Sequence, residues 1–437
     1  MAQPMGTRVM YDGLYTFVMR IFNAACAAGL GILTARLLGP AGKGLYALPG
    51  VEAGLVVSIF SGLGSALSYF LLNRKLSGRV LFTALGVGAL FLCGAAVVLV
   101  PIALLSGERW ALFPALASLP GAAAVNLAAG YAIGVKRVRY STAANVAVTV
   151  FMLALMAAGL FLVGRSAHVA IAAWIAATSI VGLVALAAVA VHARRLTGTQ
   201  TVSGREFGFF ALKVGLVNLV SLLNYRADLY IVALLTSPAE LGLYTVAVSA
   251  AESLLVPTQV TALVTSPHIG SLEAKQAATL AAQCVRHNVI IALVVCAALF
   301  VFAAPLLRLL YGQAFLPVAP ALQILLLGVF AMSLGSPMAS YFTLKLGRPE
   351  VPLSLAGASA LICIVTSLVL VPTLGIYGAA VGSSAAYIGG QIGATWYFTR
   401  STGVELGELL LPTRADFSVY WRFLGRLLRD GRALVAR

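Results

Sequence analysis

Pro40-Ala41-Gly42-Lys43-Gly44-Leu45-Tyr46 returns 198 residues later as Pro238-Ala239-Glu240-Leu241-Gly242-Leu243-Tyr244. Five of the seven positions are identical, and each copy stands between two long apolar runs. Each run after the heptamer carries one glutamate, Glu52 or Glu252. The spacing predicts a short outer hairpin between the first and second membrane spans of each half. Six spans separate the copies, so both halves cross the membrane in the same sense, as parallel repeats do in transporters. The expected architecture is all-α and integral to the membrane, with about twelve transmembrane helices in two six-helix lobes around a central cavity. The lobes are residues 1–199 and 200–399, followed by a basic amphipathic cytoplasmic tail, 400–437.

The apolar runs lie near 14–38, 45–72, 80–105, 110–134, 142–163 and 169–191, then 208–235, 241–265, 288–310, 318–344, 352–371 and 376–398. Each is long enough for the ~20 residues a bilayer needs. Composition agrees: 61% of the 437 residues are hydrophobic and 10% charged, with mean hydropathy +1.00. A soluble domain is roughly half apolar and a quarter charged, and a soluble chain with these fractions would aggregate. The first run contains Arg20 and exceeds a signal-peptide core in length, so it reads as a span. Pro49, Pro257 and Pro337, with Gly62 and Gly64, are candidate points of bending.

The net charge of +16 follows membrane topology. Connections after even-numbered spans, the N-terminal segment and the tail hold 21 Lys and Arg, among them Arg74, Lys75, Arg79, Lys136, Arg137, Arg139, Arg194, Arg195, Arg205 and seven tail arginines. Connections after odd-numbered spans hold three, Lys43, Arg109 and Arg165. The positive-inside rule then puts both termini in the cytoplasm. Scattered arginines of this kind suit anionic headgroups, and no nucleic-acid partner is expected. Residues 417–429 alternate apolar and basic residues at helical spacing, predicting an anchor on the inner leaflet.

Polar residues inside the spans are the candidate site. Arg20 and Asn23 share a face of span 1 with Thr16 and Thr34, Arg20 lying nearer mid-membrane. In span 7, Asn218, Ser221, Asn224, Tyr225 and Asp228 share a face. A shift of 198 residues superimposes Arg20 on Asn218 and Asn23 on Ser221, so both stripes are expected to line one hydrated, partly cationic cavity. Polar groups in lipid usually mark such pathways. Arg226 lies off the stripe. Arg36 with Glu52, and Arg226 or Asp228 with Glu252, are candidates for ion coupling or for structural pairs. No nucleotide loop, metalloprotease or hydrolase motif occurs, the four histidines sit at span ends or in loops, and the five cysteines form no metal or disulfide pattern. The chain reads as a non-enzyme, without metal or cofactor.

Several longer stretches resemble polysaccharide transporters of the multidrug/oligosaccharidyl-lipid/polysaccharide flippase superfamily. Residues 33–46, Leu-Thr-Ala-Arg-Leu-Leu-Gly-Pro-Ala-Gly-Lys-Gly-Leu-Tyr, resemble that family's first hairpin. Residues 224–235, Asn-Tyr-Arg-Ala-Asp-Leu-Tyr-Ile-Val-Ala-Leu-Leu, and the second heptamer resemble its seventh span and hairpin. Residues 371–380, Val-Pro-Thr-Leu-Gly-Ile-Tyr-Gly-Ala-Ala, and 403–412, Gly-Val-Glu-Leu-Gly-Glu-Leu-Leu-Leu-Pro, are similar to its turn into span 12 and its tail. The resemblance implies a V-shaped alternating-access flippase moving a polyprenyl-pyrophosphate-linked oligosaccharide outward for O-antigen, capsule or exopolysaccharide assembly. It also implies that Arg20 and Arg226 meet the pyrophosphate. Lipid II flippases carry two further spans. Expected partners are the lipid-linked glycan, membrane lipids, a polysaccharide polymerase and other assembly proteins. Coupling candidates are a proton, sodium or the membrane potential. Alternatives are a multidrug cation antiporter of the same superfamily, using Asp228, Glu252 or Glu52, and a non-transporting scaffold.

Overall fold

The computed structural model describes residues 5–106, 109–196, 198–414 and 416–417. The helices, in order, are α1 Met5–Asn73, α2 Val80–Ser106, α3 Arg109–Gly134, α4 Val138–Leu162, α5 Ala167–Ala193, α6 Gly204–Leu235, α7 Pro238–Glu252, α8 Leu255–Ser271, α9 Ala274–Val301, α10 Ala303–Leu310, α11 Ala319–Ser333, α12 Gly335–Ser340, α13 Glu350–Leu374, α14 Ile376–Thr402 and α15 Leu406–Leu410. Among the described residues there is no strand beyond one isolated bridge between Leu76 and Gln200. Among the described residues, ten stretches are long and apolar enough to cross a membrane. The first, Tyr15–Asn73, is two passes bent at Gly39, where φ is 67°. α14 adds a further helix of 27 residues, about 40 Å at 1.5 Å per residue. The chain is therefore an all-α multi-pass membrane protein with about twelve spans.

The heptamers are helix starts, not connecting loops. The chain turns at Gly39, and residues 40–46 are already helical; α7 likewise begins at Pro238. Proline suits a first helical position because its missing N–H would have no partner there. Hydropathy cannot see this, since a polar first turn and a polar loop have the same composition.

The chain packs as two compact units, Met1–Val246 with Leu310–Phe315, and Ala247–Leu309 with Leu316–Arg437. In the first, α1 packs mainly on α3 and α6. Glycines allow this. A Cβ on Gly62 would overlap the carbonyl oxygen of Ala211 and lie 2.7 Å from the Gly215 nitrogen. One on Gly64 would overlap the Asn126 carbonyl, and one on Gly130 the Gly64 carbonyl. Gly62 and Gly64, expected as bending points, thus serve close helix approach, the main role of small residues in lipid. A core of Phe60, Leu63, Leu67, Phe70, Leu119 and Phe207 fills the adjoining space.

In the second unit, Ile269, Ala277, Ala281, Met338, Phe342 and Phe398 form a core that Leu409 of α15 completes. Arg286, just before the apolar run at 288–310, lies inside α9 and ties the following chain down. Its Nε donates to Asp416 Oδ2 at 2.8 Å, and its guanidinium also reaches the Glu408 carbonyl. Thr413 donates from both N–H and hydroxyl to the same carboxylate. Burial pushes the Asp416 carboxyl up, but Arg286 and Thr413 outweigh it and hold it at about 2. The amphipathic stretch beyond Phe417 lies outside the described residues.

Candidate functional site

The two heptamers meet. A Cβ on Gly44 would overlap the carbonyl oxygen of Pro238 and lie 3.0 Å from the Gly242 nitrogen. A Cβ on Gly242 would overlap the carbonyl oxygen of Pro40 and lie 2.8 Å from the Gly44 nitrogen. The contact is reciprocal, residue for residue, as a local two-fold relation between repeats requires. It brings α7 and the second pass of α1 together at backbone distance.

Around this joint the structure distributes the polar residues of the first unit. Arg20 is exposed on α1 and, among the described residues, makes no ion pair. Nineteen residues separate it from Gly39, roughly 28 Å along the helix. It therefore lies toward the basic end of its span and not nearer the middle. Asn23, one turn on, is half-buried, and its side-chain oxygen is buried without a hydrogen bond. The Asn224 side-chain oxygen is in the same condition. A buried amide oxygen without a partner costs about 1–3 kcal/mol, so both positions are suited to a polar ligand or water.

Other members of the expected stripes are engaged within the protein. Asn218 donates from Nδ2 to Ser61 Oγ of α1 at 2.7 Å. Ser221 donates to the Val217 carbonyl of its own helix at 3.0 Å. Asp228 is buried, 2% exposed, and accepts the Tyr244 hydroxyl at 2.6 Å and the Leu229 N–H at 2.8 Å. Tyr225 is 44% exposed and Arg226 half-buried. Arg36 donates from Nε to the carbonyl of Leu310 at 2.8 Å. Glu52 is half-buried in the second pass of α1; Glu252, half-buried at the end of α7, belongs to the second unit.

One cation was misread from the sequence. Lys43, taken for a loop charge, turns back along α1. Its Nζ donates to Thr34 Oγ1 at 2.7 Å and lies 5.5 Å from the Tyr46 ring centre. The signal was present in the spacing: from a helix that starts at Pro40, Lys43 and Tyr46 are three residues apart and share a face. Tyr244 had a signal too, as a heptamer residue at the depth of a buried aspartate.

The sequence and the fold have known counterparts. The sequence profile of the polysaccharide biosynthesis protein family matches residues 33–320. No curated protein matches the chain in sequence. Among solved structures, an inward-facing multidrug resistance MATE family transporter of the MOP superfamily is similar with a TM-score of 0.71, at 17% identity over 90% of this chain and 98% of that one. The lipid II flippase MurJ, in an inward closed conformation, gives 0.71 at 12% identity, over 91% of this chain and 89% of that one. A MOP superfamily transporter from Pyrococcus furiosus, described by the reverse polarity of its binding pocket, gives 0.56 at 18% identity over 91% and 95%. The fold is that of MOP superfamily transporters, and the chain belongs to the polysaccharide biosynthesis protein family.

Proposed function

We propose that this protein is a flippase, not an enzyme, that moves a polyprenyl-pyrophosphate-linked oligosaccharide across the bacterial cytoplasmic membrane by alternating access of two six-helix lobes, 1–199 and 200–399. Both termini lie in the cytoplasm on this reading, and the product supplies O-antigen or exopolysaccharide assembly, where a polymerase acts next. The observation that carries it is the combination of a polysaccharide-biosynthesis family with a transporter fold. The chemistry of Arg20 supports the anionic substrate. An arginine exposed to lipid in a span costs at least about 2.5–3.5 kcal/mol, a cost avoided if it faces hydrated space and meets a phosphate. A guanidinium can hold a phosphate through two parallel hydrogen bonds. Its place toward the basic end suits capture of a headgroup at the inner leaflet, with Asn23 and Asn224 accepting sugar hydroxyls and Arg226 adding charge. Asp228 fits a structural role better than ion coupling, because Tyr244 and the Leu229 N–H already occupy its oxygens.

Arg20→Ala should abolish export of lipid-linked glycan in cells at normal protein level, and Arg20→Lys should retain part of it. The missing charge-assisted hydrogen bond is worth about 1.5–3 kcal/mol, roughly ten- to a hundred-fold in affinity. Unchanged export by Arg20→Ala would remove the reading. Energised efflux of organic cations by vesicles, with no glycan export, would replace it with the multidrug antiporter.

A further inference from the structure

At the basic end of the first unit, α3, α4 and α5 enclose a cavity of about 270 Å³ that the transport reading does not use. Its walls are mostly small and apolar, with Ala128, Ala188 and Val189 among them, and Arg137, His192 and Tyr131 supply polar groups. Arg137 lies in the turn between α3 and α4, its guanidinium 5.7 Å from the ring centre of Tyr140. The His192 ring stands edge-on to Tyr131 at 6.0 Å. Tyr131 is 2% exposed, and its hydroxyl is buried without a hydrogen-bond partner in the protein. Burying a hydroxyl this way is unfavourable unless something else receives it. Ala188 is exposed on α5, one turn from Val184 and Val191, which are 66% and 60% exposed. The mouth therefore belongs to an apolar helix surface of the kind that faces lipid.

We propose that this cavity is a binding site for an anionic phospholipid of the bilayer, separate from the transported substrate. The phosphate sits on Arg137 and His192, the Tyr131 hydroxyl donates to an ester or phosphate oxygen, and the upper part of one acyl chain lies along Ala128 and Ala188. The volume is below the ~300–1,000 Å³ of pockets that enclose a whole small ligand, as expected where only part of the ligand enters. Charge complementarity is local and general at once: Lys136, Arg139, Arg194 and Arg195 surround the same end, and basic clusters beside spans attract anionic lipid.

Native mass spectrometry of the purified full chain, titrated with phosphatidylglycerol or phosphatidylcholine of identical chains, tests this. Phosphatidylglycerol should bind first and at least tenfold more tightly. Arg137→Gln should weaken it about tenfold, and Ala188→Trp, which fills the cavity, at least as much. Tyr131→Phe should weaken it two- to tenfold, and Arg195→Gln, at the same end but outside the cavity, less than twofold. Arg137→Gln leaves the helix contacts intact, so it still decides the matter if Ala188→Trp fails to fold. Equal affinity for the two lipids, equal loss from Arg195→Gln and Arg137→Gln, or displacement of the lipid by millimolar inorganic phosphate would overturn the proposal.

Discussion

Residues 40–46 and 238–244 turn the same small-residue surface toward each other, yet the chemistry around them has diverged. The positions that touch, Pro40 and Gly44 against Pro238 and Gly242, are identical in the two copies. The two heptamer positions that differ, Gly42 against Glu240 and Lys43 against Leu241, lie outside that contact. Lys43 bonds Thr34 in the first copy, where the second has Leu241. Asp228 bonds Tyr244 beside the second copy, and the position 198 residues earlier is Leu30. The helix starts differ too. Ser237 and Glu240 form a reciprocal cap, Ser237 N–H to Glu240 Oε2 at 3.2 Å and Glu240 N–H to Ser237 Oγ at 3.3 Å. The first copy has Gly39 and Gly42 there and turns through a positive φ. A repeat of this kind keeps what backbone contact demands and leaves the surrounding side chains free to specialise, cationic in one half and acidic in the other.

The largest effects should come from the shared joint. Gly44→Ala and Gly242→Ala each force a methyl onto a backbone carbonyl, and overpacking of this kind costs about 1–3 kcal/mol. Both should lower the melting point in detergent, measured by size-exclusion after heating. Because they strain one contact, the double variant should cost less than the two single costs combined. Gly29→Ala, with nothing within 4 Å of the new methyl, should be neutral or stabilising, since alanine is the better helix former. Markedly unequal losses at Gly44 and Gly242 would break the symmetry.

The diverged chemistry should give smaller and unequal effects. Tyr244→Phe leaves a buried carboxylate oxygen short of a donor, at about 1–3 kcal/mol, whereas Tyr46→Phe keeps the ring beside Lys43 and should be near neutral. Ser237→Ala removes a cap worth about 1 kcal/mol. Lys43→Leu, which gives the first copy the residue of the second, should change stability by less than about 1 kcal/mol. The Thr34 hydroxyl then keeps its bond to the Leu30 carbonyl at 2.8 Å, and swapping a charged group for an apolar one of similar shape is often nearly neutral.

The spans, the repeat and the family were legible because hydropathy, charge and a seven-residue motif are properties of the chain itself. The joint between the repeats was not, because a glycine that permits backbone contact looks the same in sequence as one that merely bends a helix; Gly62 and Gly64 show the difference. Of the candidate site, residue types and helical faces were legible and side-chain partners were not. Arg20 and Asn23 could be picked out as polar residues on one helical face, but the engagement of Asn218 by Ser61 and of Asp228 by Tyr244 depends on partners that lie 157 and 16 residues away. Residue type and spacing say which side chains are expensive to bury, and only packing says which of them have already found a partner.

Synthesis gives the Arg286 clasp a meaning in time. The ribosome places Arg286 in the chain 130 residues before Asp416, and Ile269, Ala277, Phe342 and Phe398 all precede Leu409, the side chain that finishes their core. Until residues 406–416 emerge, that end of the second unit has an uncovered apolar hollow and a buried-facing guanidinium without its carboxylate. A chain that stops short would leave both uncovered, and one that reaches Asp416 covers them together, so this end of the second unit is completed last.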